Sequence, residues 1–192
     1  MRRVPAVLAV LIALSACGGA VHPAVNPDPN HTHADFVVWM DGTQVDFSQE
    51  KYMAEHPDEE GDHDHSEHEH GEEATLHLHD GVGHMIHSHK PGQTLREFFA
   101  SLHALDLFVQ GHTWRMFING QEEEFTLDYA FQDLDHIFLT TSSASAQVLY
   151  ELEQMTDDAC LYSKTCPERG EPPAENCVAD ASIPCVVPPE DL

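Results

Sequence analysis

The sequence predicts an α+β fold: a mixed sheet crossed by one helix, with an extra N-terminal hairpin and a disulfide-stapled C-terminal tail. Three observations carry this. Two segments alternate apolar with polar residues around glycine-containing turns, as half-buried hairpins do. A later segment switches to helical spacing behind a capping box. Four of the five cysteines fall at or after position 160, among prolines and acids. With 192 residues, 41% of them hydrophobic, the chain can build one modest core.

The elements follow in order. Residues 31–47 read as a hairpin. Phe36, Val38 and Met40 share a face, Asp41-Gly42 supplies a two-residue turn, and Thr43, Val45 and Phe47 continue that face. Residues 74–90 read as a second hairpin, with Leu76 and Leu78 on one side and His77 and His79 on the other. Gly81-Val82-Gly83 forms its loop. Apolar residues must share the buried face, so Leu78 belongs opposite Ile86. His87 then lies opposite His77, and Met85 opposite His79. Pro91-Gly92 ends the strand. Thr94 and Glu97 form a capping box, and Leu95, Phe98, Phe99, Leu102 and Leu105 follow at helical spacing, which predicts a helix over 94–105. Strands are expected near 113–118 and 123–126, joined by Asn119-Gly120, and at 135–141. A second helix is expected over 143–157, with Val148, Leu149, Leu152 and Met155 as its apolar stripe.

From residue 74 the order is strand, strand, helix, then three strands. This resembles the β-grasp (ubiquitin-like) fold over 74–141, with the first hairpin extending the sheet. The resemblance implies a helix on one face and an uncovered opposite face; it carries no function.

Residues 4–14 are a nearly continuous apolar stretch behind Arg2 and Arg3. That is short of the roughly 20 residues needed to span a bilayer, but it suits the core of an export signal. The stretch ends Leu14-Ser15-Ala16-Cys17, which resembles the lipobox of bacterial lipoproteins. The resemblance implies Sec export, cleavage before Cys17, and a lipid on that cysteine that anchors the chain to the cell envelope, at the outer membrane or cell surface. The expected division is 1–16 signal peptide, 17–30 lipidated cysteine and tether, 31–141 folded domain, 142–157 helix, and 158–192 tail. With Cys17 lipidated, Cys160, Cys166, Cys177 and Cys185 remain, enough for two disulfides in any of three connectivities. No CxxC is present, which argues against a thioredoxin-like role. The tail is too poor in apolar residues for a core of its own, so the disulfides are expected to fix it to itself.

Charge narrows the partners. The chain holds 34 acidic and 8 basic residues, for a formal charge of −26. No basic patch exists to displace phosphate counterions, so no nucleic acid is expected. Cations are the partners such a chain attracts. The chain also holds 16 histidines, in two populations. Residues 55–73, a low-complexity insert expected to be mobile, contain His63, His65, His68 and His70 among alternating acids. This stretch resembles in composition the His/acid loops of periplasmic zinc-binding proteins and zinc transporters. The resemblance implies weak capture of Zn, Ni or Cu.

The second population sits on predicted strands. Residues two apart share a face, so His31 with His33, His77 with His79, and His87 with His89 form three pairs opposite the apolar side. In the register above, His77, His79, His87 and His89 make one imidazole patch, with Met85 among them and His84 at the turn. Three imidazoles at about 2.0–2.1 Å suit Zn or Cu, and a nearby Met favours copper. Whether the two hairpins are neighbours decides between one site and two. Neutral imidazole is the ligating form, so ligation predicts affinity that falls below about pH 6. His103, His112 and His136 stand apart and read as structural.

The leading reading is therefore a lipid-anchored metal-binding protein for scavenging, buffering or delivery to a metal transporter or surface protein. It is not expected to be an enzyme. His31-Thr32-His33-Ala34-Asp35 matches part of the metallo-β-lactamase signature, but Phe36 stands where that motif needs histidine. The second hairpin resembles a cupin H-x-H strand without the glutamate that follows in cupins. A three-His zinc enzyme similar to carbonic anhydrases is one alternative. A protein-interaction module with incidental histidines is the other.

Overall fold

The computed structural model describes residues 25–27, 30–53, 75–109 and 111–171. The expected export signal, lipidated Cys17, the insert 55–73, Cys177 and Cys185 lie outside the described residues. The described chain is α+β, with one mixed sheet of seven strands and few helices.

Strand β1 (Thr32–Met40) turns through Asp41-Gly42 into the short β2 (Thr43–Gln44). Both turn residues have positive φ, 53° and 75°, as a type I′ hairpin turn requires. Strands β3 (Leu76–His77) and β4 (Met85–Ser88) form the second hairpin. His77 pairs with His87, which is the register expected from Leu78 and Ile86. Helix α1 (Leu95–Ser101) follows, then β5 (Arg115–Ile118), β6 (Gln121–Glu123) and β7 (His136–Thr140). Helices α2 (Ser145–Leu152) and α3 (Ala159–Tyr162) complete the described chain.

The sheet order is β3-β4-β1-β7-β5-β6, with β2 attached to β1. Strands β1 and β7 run parallel at its centre. The β-grasp-like plan therefore begins at β1, not at residue 74. The first hairpin does not extend the sheet from outside; its first strand is the middle of it. The reason is in the side chains. Phe36 and Val38 face one layer while Val37 and Trp39 face the other, and all four are buried. A strand that is apolar on both sides belongs between two covered faces.

On the first face, α1 packs Leu95, Phe98 and Phe99 against Phe36, Phe47, Leu78 and Ile86. Its capping box is complete: Thr94 N–H donates to Glu97 Oε2 at 2.6 Å, and Glu97 N–H to Thr94 Oγ1 at 3.2 Å. The helix is shorter than expected. His103 takes φ of 51°, His103 N–H donates to Ala100 O, and Ala104 N–H donates to Phe99 O. That is a Schellman stop without glycine, and Leu102 remains in the core beyond it.

The opposite face is covered, contrary to expectation. Helix α2 places Val148 on Val37, Trp39, Phe117 and Phe138, with Leu152 and Met155 alongside. Leu149, expected in this stripe, is 60% exposed. Glu151 turns inward instead and accepts from Thr140 Oγ1 and Ser142 Oγ, each at 2.6 Å. Those hydroxyls satisfy a buried carboxylate and rotate the helix from its hydrophobicity-derived orientation. The tail is likewise not fixed only to itself. Cys160 and Cys166 form a disulfide, and Ala159 and Tyr162 bury against Met85.

Loop 81–84 crosses close to the first hairpin. A Cβ on Gly83 would lie 2.2 Å from the backbone nitrogen of Ser48. Since backbone must move to admit it, Gly83→Ala is expected to destabilise the fold by about 2–3 kcal/mol. Urea denaturation checks this; an unchanged midpoint would contradict the close approach.

Candidate metal centre

The register of three strands assembles the histidines. Strand β1 is the antiparallel neighbour of β4, with His33 opposite His87, and β4 also pairs with β3. The two hairpins are therefore neighbours, and the three H-x-H pairs meet on the second face. His31 precedes β1, His79 follows β3 and His89 follows β4. Rings of His31, His33, His77, His79 and His89 all have centroids between 4.3 and 5.0 Å from that of His87. His31 is half-buried at the rim; the other five are buried.

Two groups of three have ligand atoms within 4.8 Å of one another: His31, His87 and His89, and His77, His79 and His87. His87 belongs to both. Its Nε2 lies 2.5 Å from His31 Nε2, and its Nδ1 lies 3.2 Å from His79 Nε2.

Neighbours outside the cluster orient the rings. Asp80 Oδ2 lies 2.7 Å from His79 Nδ1, so that nitrogen donates its proton and Nε2 faces His87. His33 Nδ1 donates to Ser163 Oγ at 2.9 Å, and Ser163 donates to Asp133 Oδ1 at 2.5 Å. This leaves His33 Nε2 as the nitrogen able to ligate. Neither Asp133 nor Ser163 carries any local sequence signal, because both come from distant loops. Carboxylate- and hydroxyl-anchored imidazoles of this kind are typical of metal ligands.

His87 is held neutral. Burial is the main cause, and the potential positive charges of His33, His77, His31 and His89 add to it; together they push its pKa far below the usual 6.5. Its unprotonated ring nitrogen thus keeps its lone pair available for a cation across the physiological range.

The other predicted residues fall elsewhere. His84 faces Asp158, with Nε2 3.4 Å from Oδ2, and is not part of either imidazole group. Met85 packs with Ala159 and Tyr162. His63, His65, His68 and His70 lie outside the described residues. His103 is exposed, and His112 Nδ1 lies 3.6 Å from Asp41. His136 does not stand apart: with Asp35 and Asp157 it forms a third group whose ligand atoms lie within 4.8 Å.

Asp35 has another task, however. Fully buried, it accepts from Thr156 Oγ1 at 2.5 Å, Asp158 N–H at 3.1 Å and Ala159 N–H at 2.8 Å. This clamp holds the segment 156–163 over the second face. The Tyr162 ring lies 5.4 Å from that of His33, tilted by 41° to it, as part of that cover.

Comparison with protein-family models, curated proteins and solved structures finds no match. Among the described residues no helix is long and apolar enough to cross a membrane. The site must be read from its own chemistry.

Proposed function

We propose that the protein is a cell-envelope lipoprotein that binds a transition metal through its strand histidines, with Zn or Cu as the cation. One observation carries this reading: six imidazoles converge on one face of the sheet, five of them buried, around a central His87. Elsewhere that face is filled by Val37, Trp39, Phe117 and Phe138. Imidazoles in place of aliphatic side chains forfeit hydrophobic stabilisation. A coordinated cation repays that loss, because ligation energy becomes folding energy.

The acidic His insert would capture metal loosely and raise its local concentration; the sheet would hold an ion in defined geometry. The role is scavenging, buffering or delivery to a transporter or surface protein. Burial supports holding over catalysis, since a catalytic zinc keeps a position open to water.

The test uses the purified, oxidised full chain with His56, His63, His65, His68 and His70 replaced by Asn. After loading with Zn or Cu and extensive washing, elemental analysis is expected to find metal retained in near-stoichiometric amount. Adding His77→Ala, His79→Ala, His87→Ala and His89→Ala is expected to remove it. No retained metal in the first protein would refute the reading. The anchor has its own check: mass spectrometry of the exported chain should find lipid on Cys17, and an unmodified Cys17 would refute the lipoprotein assignment.

A further inference from the structure

We infer that His87 bridges two metal ions, its two ring nitrogens each serving a separate imidazole group. The inference rests on the metal-binding reading above and specifies its nuclearity. The observation is that the partners of His87 lie at opposite ends of one ring. Nε2 faces His31, whose group is completed by His89. Nδ1 faces His79, whose group is completed by His77. One ion bound at a single nitrogen of His87 would leave the other group without its shared member.

The spacing suits this. Two nitrogens on one tetrahedral ion at about 2.0–2.1 Å stand about 3.3 Å apart. His79 Nε2 and His87 Nδ1 are already 3.2 Å apart. His31 Nε2 and His87 Nε2 are 2.5 Å apart, so His31 must open by about 1 Å to admit an ion. It is the half-buried member, at the rim just before β1, and is the ring with room to move.

The protons balance. In the metal-free protein neutral His87 carries one N–H. It can donate from Nδ1 to His79 and accept at Nε2 from His31, while His79 donates to Asp80. Two ions replace these contacts. His87 then loses its remaining proton to solvent and becomes an imidazolate, His31 shifts its proton from Nε2 to Nδ1, and His31 and His79 present lone pairs from Nε2. The negative imidazolate lies between two cations in a buried site, where that attraction is screened little.

Electron paramagnetic resonance of the Cu(II)-loaded full chain tests the bridge, with the five insert histidines replaced by Asn as above. The expected result is about two copper ions per chain whose spins couple through His87. The signal then falls well below that of two isolated ions, and a half-field transition appears. His31→Ala and His79→Ala each remove a ligand from one group only. Each variant should hold about one copper and show the full signal of an isolated ion, with circular dichroism reporting the fold. One copper per chain in the parent protein would overturn the bridge, as would two ions with an additive, uncoupled signal; in both cases the metal-binding reading survives. No copper bound at all would overturn the bridge; no zinc retained either would overturn the metal-binding reading with it.

Discussion

Replacing Asp35 with Ala is expected to destabilise the protein by about 3–5 kcal/mol and to speed metal loss at the same time. The carboxylate is fully buried and accepts from Thr156, Asp158 and Ala159. Removing it leaves the amides of Asp158 and Ala159 and the hydroxyl of Thr156 without this acceptor. It also frees the segment whose Tyr162 and Ser163 cover His33. Urea denaturation measures the first effect, and transfer of bound metal to a chelator measures the second. A stability change below about 1 kcal/mol would show that Asp35 does not clamp the cover.

The second large effect is acid sensitivity of the metal-free protein. The folded pKa of His87 lies far below its unfolded value of about 6.5. Above pH 6.5 the ring is neutral in both states and adds no pH dependence. Below 6.5 the unfolded chain takes up a proton that the folded chain refuses. Stability therefore falls with falling pH, by about 1.4 kcal/mol per pH unit for this one ring. Denaturation midpoints between pH 7.5 and 4.5 check this; midpoints that hold or rise on acidification contradict it. Metal affinity should fall over the same interval, since protons compete for the ligand nitrogens.

Much of the candidate site was legible because strand geometry has period two. His77, His79, His87 and His89 could be placed on one face from the positions of Leu78 and Ile86 alone, and His77 does pair with His87. The turns at Asp41-Gly42 and Asn119-Gly120 were legible because their positive φ values select those residues. What local pattern could not supply was pairing between distant segments. The union of His31 and His33 with the other four depends on β1 lying beside β4, across the long insert. The cover over the cluster depends on contacts from Asp35 to residues more than 120 positions away.

One missed signal was present. Residues 36–39 are apolar without interruption, and Phe117 and Phe138 repeat the message on other strands. Such continuity means burial on both faces. Read that way, β1 belongs at the sheet centre and the imidazole face cannot be open to water. The early end of α1 had no such signal, since His103 occupies a position where glycine usually announces the stop.

The central claim is that imidazoles of the folded sheet hold the metal. X-ray absorption at the edge of the bound metal, on the full chain with the insert histidines replaced, tests it most directly. The account predicts a first shell of nitrogen at about 2.0 Å with the outer-shell scattering of imidazole rings. A first shell containing sulfur, or oxygen alone, would contradict it.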